Sequence, residues 1–100
     1  MKRGQIAALA YEAGRIASAV AAQTSERWDA LDDDTRRGVD MFLRLYVFPW
    51  LRMRNAAIAA GVDGRRHSGL GRMSLAVIEV GRALLLMLAP TDLSTGGLAS

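Results

Sequence analysis

The sequence predicts an all-α protein: a small bundle of three to four helices, its second long helix kinked or broken at Pro49, completed by oligomerisation. Apolar residues recur at helical spacing in three separate segments, and no stretch shows the period-two alternation of a half-buried strand. Apolar residues make up 51% of a chain of only 100 residues. A domain this small leaves much of its surface exposed, so helices that are apolar on more than one face need a second copy against them, most simply a two-fold dimer. Residues 1–90 read as one helical domain and 91–100 as a mobile polar tail.

The first helix carries Ile6, Leu9, Ala13, Ile16 and Val20 on one stripe. Tyr11, Arg15 and Ser18 fall on roughly the opposite side, and Gly4, Ala7, Gly14 and Ser18 make that side small and flat, so that a second helix or a ligand can come close. This helix is expected to end near Gln23-Thr24-Ser25, with Trp28 and Leu31 in a connecting segment of one turn capped by Ser25. Asp32-Asp33-Asp34-Thr35 suits a helix start, where carboxylates cap free N–H groups and complement the helix dipole. The second helix places Val39, Phe42, Leu43, Tyr46, Val47 and Trp50 on one face and Met41, Leu45 and Phe48 on another, so it has to be buried on two sides. Pro49 has no N–H and clashes with the carbonyl of Leu45. Helicity resumes through Ala60, and Gly61 suits a C-terminal cap. Residues 61–71 hold four glycines and read as a loop. The last helix is expected from about Arg72 to Ala89, with Met73, Val77, Val80, Leu84 and Leu88 as its stripe, before Pro90.

Composition excludes several chemistries. Without cysteine there is no disulfide, thiolate metal site or cysteine nucleophile. A single histidine, His67, cannot make a multi-histidine metal site. His67-Ser68 adjacency does not supply the oriented base that a hydroxyl nucleophile needs. Three consecutive aspartates point about 100° apart on a helix and do not converge on one ion. Neither catalytic residues, metal nor cofactor are therefore expected, and the chain reads as a non-enzyme. Gly64 and Gly69 have the Walker A separation, but Leu70 and Gly71 stand where Lys and Ser/Thr are required. The longest apolar stretches are interrupted by Glu79 and Arg82 and by Arg44, Arg52 and Arg54, against the roughly 20 apolar residues of a span. Glu12 and Arg15 interrupt what would be a signal-peptide core. Hence no membrane association and a cytoplasmic location are expected.

Arg65, Arg66, His67 and Arg72, near backbone N–H groups at a helix start, form a candidate anion-binding loop. Twelve arginines invite a nucleic-acid reading, but the net charge is only +3 and no helix has a basic recognition face. Tyr11, Glu12 and Arg15 form a polar cluster on the first helix. A tyrosine and an arginine beside Gly14 and Ser18 have the character of contact residues, since both types are enriched at binding hot spots.

The run Ile6-Ala7-x-x-Ala10-Tyr11-Glu12-Ala13-x-Arg15, then Trp28-Asp29, then Arg36-x-x-Val39, resembles the opening of small phage and prophage proteins with a ryanodine-receptor-repeat-like domain. It covers residues 6–40. Gly14 replaces that family's asparagine, and its second half has no counterpart after Val47. The resemblance implies a phage or mobile-element origin and recognition of a nucleotide-derived ligand, with Tyr11, Glu12, Arg15, Trp28 and Arg36 at the matching positions. The function expected is that of a small accessory protein that binds and inhibits or sequesters a host component, plausibly of a defence system. Its partners are a second copy of itself and either a host protein or a small nucleotide-like ligand. A basic DNA- or RNA-binding accessory and a structural assembly component are the alternatives.

Overall fold

A computed structural model describes residues 3–61 and 68–89. The described residues are helical almost throughout and contain no strand. Helix α1 spans Arg3–Arg27, a 3-10 turn follows at Trp28–Ala30, and α2 spans Asp33–Phe42. A π-helical turn, Leu43–Val47, joins α2 to α3 (Phe48–Ala60), and α4 spans Ser68–Leu88. The tail expected at 91–100 lies outside the described residues.

The predicted stripe of α1 is buried at Ile6, Ala13, Ile16 and Val20. The helix runs beyond the expected end at Gln23-Thr24-Ser25, because Thr24 continues the stripe one turn past Val20 and is itself buried. Ser25 lies inside α1 and caps nothing; the residue before the 3-10 turn is Arg27, without a side-chain cap. Arg36 holds this connection instead. Its Nε donates to the carbonyl of Trp28 at 2.9 Å and its Nη2 to that of Asp29 at 3.1 Å. Its guanidinium lies 5.6 Å from the centre of the Trp28 ring. Asp32 caps α2 as its sequence suggests, accepting the Thr35 N–H at 2.7 Å. These Thr35 hydrogen bonds hold the Asp32 carboxyl below its usual range.

Pro49 does not break the helix. The Phe48 N–H reaches the carbonyl of Leu43, five residues back, and the backbone stays helical on both sides of the junction. The wider π turn just before Pro49 relieves the crowding that a proline ring imposes on the preceding turn. Residues 33–60 therefore form one rod. Gly61 ends it at φ +75°, a left-handed value that glycine adopts without strain.

Helix α4 starts one turn earlier than expected, so Gly69, Leu70 and Gly71 are helical and not loop. Leu70 and Gly71 are buried there. Burying the leucine in that first turn outweighs the weak helix propensity of its two glycine neighbours.

The order is up-down-up, with α4 central. Gly38 faces Leu84, Gly81 faces Phe42, Trp50 meets Ser74 and Gly69 faces Met53, so the long rod runs antiparallel to α4. Helix α1 packs along α4, its Ile16 against Gly81. Gly81 is required for both contacts: a Cβ on it would overlap Cγ2 of Ile16 and lie 3.1 Å from Cζ of Phe42. The core is filled by Val20, Val39, Phe42, Val77, Leu84 and Leu88. At its other end the Trp50 indole N–H donates to the buried Ser74 hydroxyl at 2.8 Å, which satisfies both groups.

The third pairing of a closed three-helix bundle is incomplete. The backbones of α1 and α3 stand apart over most of their length. On the outer side of the rod Met41, Leu45 and Phe48 remain exposed, so the chain buries only one of the rod's two predicted faces.

Candidate functional site

The gap between α1 and α3 is an apolar groove of about 820 Å³. That is at the upper end of the usual range for ligand-binding clefts. Its α1 wall is made of small residues: Ala7, Ala10, Gly14, Ala17, Ser18 and Ala21. These recur every three to four residues and so lie along one line of the helix. The opposite wall is Leu43, Val47, Trp50, Leu51, Ala57 and Ile58, and Leu70 of α4 closes one end. Gly14 allows the indole to come close, since a Cβ there would lie 3.4 Å from Cη2 of Trp50.

The rim is cationic and aromatic. Tyr11 is 72% exposed, a high value for an aromatic side chain at the lip of an apolar groove. Arg15 and Arg54 flank it. Arg54 lies 5.9 Å from the centre of the Trp50 ring and pairs with no carboxylate among the described residues. Past Ala21 and Leu43, which line both, a smaller cavity of about 340 Å³ extends to Thr24 and Trp28. From Ile6 to Thr24 the trough follows five turns of α1, about 27 Å at 1.5 Å per residue.

Thr24 is 7% exposed and its hydroxyl has no hydrogen-bond partner. A buried hydroxyl that makes no hydrogen bond opposes folding. Thr24→Val keeps the shape and removes the unpaired group, and it is expected to raise the unfolding free energy by about 1 kcal/mol. A urea midpoint that falls on this substitution would show that the hydroxyl is paired in solution.

Glu12 lies away from the groove and joins α1 to α4. Its carboxylate accepts from Arg15 at 2.8 and 2.6 Å and from Arg82 at 3.1 Å. The hydrogen bonds from Arg15, followed by its charge and by Arg82, hold the Glu12 pKa down at about 2, against some desolvation. Glu12 in turn pushes the Arg15 pKa above its ordinary value. A carboxylate with a depressed folded pKa stabilises fully above its unfolded value, 4.5, and that contribution is lost as the pH falls through about 2. Carboxyl NMR titration of Glu12 is expected to show this low value, and Arg15→Ala is expected to move it back toward 4.5.

The five helix-face residues expected to act together are thus divided. Tyr11 and Arg15 reach the groove, whereas Glu12 turns to α4. Trp28 and Arg36 stack on each other at the α1–α2 connection, where Arg36 holds backbone carbonyls. Of the expected anion-binding loop, Arg65, Arg66 and His67 lie outside the described residues. Arg72 is exposed in the second turn of α4. Asp33 and Asp34 pair with Arg36 and Arg37 on the surface. Among the groove residues that sequence reasoning did not assign to a site are Leu51, Arg54 and Ile58. Among the described residues, no helix is long and apolar enough to cross a membrane. Compared with family models, curated proteins and solved structures, the chain gives no match.

Proposed function

We propose that this protein works by stoichiometric binding and not by turnover, and that the α1–α3 groove takes a helix of another polypeptide. The observation that carries this reading is the groove itself: long, apolar, and walled on one side by small residues. An amphipathic helix lies in such a trough by its i, i+3, i+4 and i+7 side chains. Walls of glycine and alanine let its backbone approach closely. A nucleotide-sized ligand fits less well, since ribose and phosphates need convergent donors, and here the polar groups lie at the rim. Arg54, which pairs with no carboxylate among the described residues, favours a helix with acidic residues beside its apolar stripe. In this reading the protein is an accessory factor that holds a helix of a host component and so inhibits or sequesters it. That role accords with the resemblance of residues 6–40 to small phage proteins.

A photo-crosslinking amino acid at Ser18, inside the groove, tests it against the same group at Ala83, on the exposed side of α4. The expected result is a discrete polypeptide adduct from cells at position 18, mapping to a helical segment, and none at position 83. Equal labelling at both positions, or none at 18, would contradict the reading.

A further inference from the structure

We infer that the helix filling the groove in the isolated protein is α1 of a second copy, antiparallel, the two copies facing each other groove to groove across a two-fold axis near Gly14. This rests on the reading of the groove as a helix-binding trough and names its occupant.

The first argument is electrostatic. The up-down-up order gathers unlike charges at the two ends of the protomer. Where α1 meets α2, the described residues include the carboxylates of Glu26, Asp29, Asp32, Asp33 and Asp34 against only Arg27, Arg36 and Arg37, while Asp40 further along the rod is paired with Arg44. Asp33 and Asp34 there are almost fully exposed. At the opposite end, where α3 finishes and α4 begins, stand Arg52, Arg54 and Arg72, all exposed, and no carboxylate among the described residues. Along the rod Asp34 and Arg52 are 18 residues apart, roughly 27 Å, several times the screening length of about 8 Å at physiological salt. Each end therefore acts as its own patch. A parallel pair of copies would set acid on acid and arginine on arginine. An antiparallel pair sets each acidic end beside the other copy's basic end, twice.

The second argument is the register of the small residues. Reflected about Gly14, Ala7 falls on Ala21 and Ala10 on Ser18, so the α1 wall reads alike in both directions. Two copies of α1 laid antiparallel about Gly14 match small residue to small residue along the whole contact. Each exposed Tyr11 then falls over Ala17 and Ser18 of the other copy, which gives its ring an apolar bed. A two-fold interface needs a patch that is complementary to itself in this way.

The test uses the full chain and light scattering at low salt. The wild type is expected to be a dimer. Asp33→Lys with Asp34→Lys makes both ends basic, and Arg54→Glu with Arg72→Glu makes both ends acidic. None of these four side chains is buried. Each double variant alone is expected to dimerise at least roughly tenfold more weakly, from two unlike-charge contacts turned to like at each of two sites. An equimolar mixture of the two is expected to regain the dimer mass as a heterodimer, and 0.5 M salt, at a screening length of roughly 4 Å, should weaken that rescue. Ser18→Trp, which obstructs the α1 wall, is expected to give a monomer with unchanged circular dichroism. A monomeric wild type, or a dimer that neither charge reversal weakens and mixing does not restore, overturns the second-copy inference. A monomer that still crosslinks another polypeptide from position 18 leaves the helix-binding reading in place. A dimer that tolerates Ser18→Trp uses a different face and overturns the inference.

Discussion

Trp50→Ala is expected to lower the unfolding free energy by about 3–5 kcal/mol, the range for a large aromatic removed from a core. Total stability of a domain is of the order of 5–15 kcal/mol, and for a domain of this size the melting temperature should drop by about 15–30 °C. Trp50 is 3% exposed, lies against Gly14 of α1, and donates its indole N–H to Ser74 of α4. It therefore ties three helices where α1 and α3 approach at Gly14, and its loss both empties the core and widens the groove. Ser74→Ala separates the two effects. It keeps the ring and strands a buried N–H, which costs about 1–3 kcal/mol. Thermal melts followed by circular dichroism measure both. The second tryptophan, Trp28, is exposed, so Trp28→Phe leaves Trp50 as the sole fluorescent reporter of the core. A loss below about 1 kcal/mol for Trp50→Ala would contradict the packing described, because it falls outside the range for a buried aromatic.

Gly81→Ala is expected to destabilise, against the intrinsic preference of helices for alanine. Propensity alone would favour the substitution by about 1 kcal/mol. The new methyl, however, overlaps a methyl of Ile16 and crowds Phe42, both buried. Ile16 is β-branched and has little rotamer freedom on a helix, so relief requires α1 to move away from α4. Overpacking of this kind costs about 1–3 kcal/mol net. Gly38→Ala is the matched control. Its Cβ would meet only Leu84 at an ordinary 3.6 Å, and the variant should gain up to about 1 kcal/mol. If both glycines respond alike in urea denaturation, the close approach at Gly81 is not present in solution.

Much of this fold was legible in the sequence because its helices declare themselves by periodicity. The stripe from Ile6 to Val20 and the Asp32 cap lie where spacing and capping chemistry place them. Local rules failed where tertiary contacts outweigh them. Gly69 and Gly71 look like loop residues, yet the burial of Leu70 draws them into α4. Pro49 looks like a break, yet one π turn accommodates it, and no residue type signals where such a turn will form. The candidate site was half legible. The second apolar face of the rod, Met41, Leu45 and Phe48, stays outside the groove; the small face of α1 pointed to close approach, and the stripe through Leu43, Val47 and Trp50 pointed to a face that needs cover. What the sequence could not show is that these two surfaces face each other across a gap, because that depends on α4 lying between them. Arg36 and Trp28 resembled binding residues because a guanidinium that holds carbonyls and stacks on a ring has the same composition as one that waits for a ligand.

Native mass spectrometry of the protein purified gently from cells tests most directly whether the groove takes a helix. The expected masses are whole-polypeptide assemblies, the chain with a second copy or with another protein, and no added small molecule. A monomer carrying a few hundred extra daltons, lost on substitution of Tyr11 or Arg54, would contradict the account and assign the groove to a small ligand.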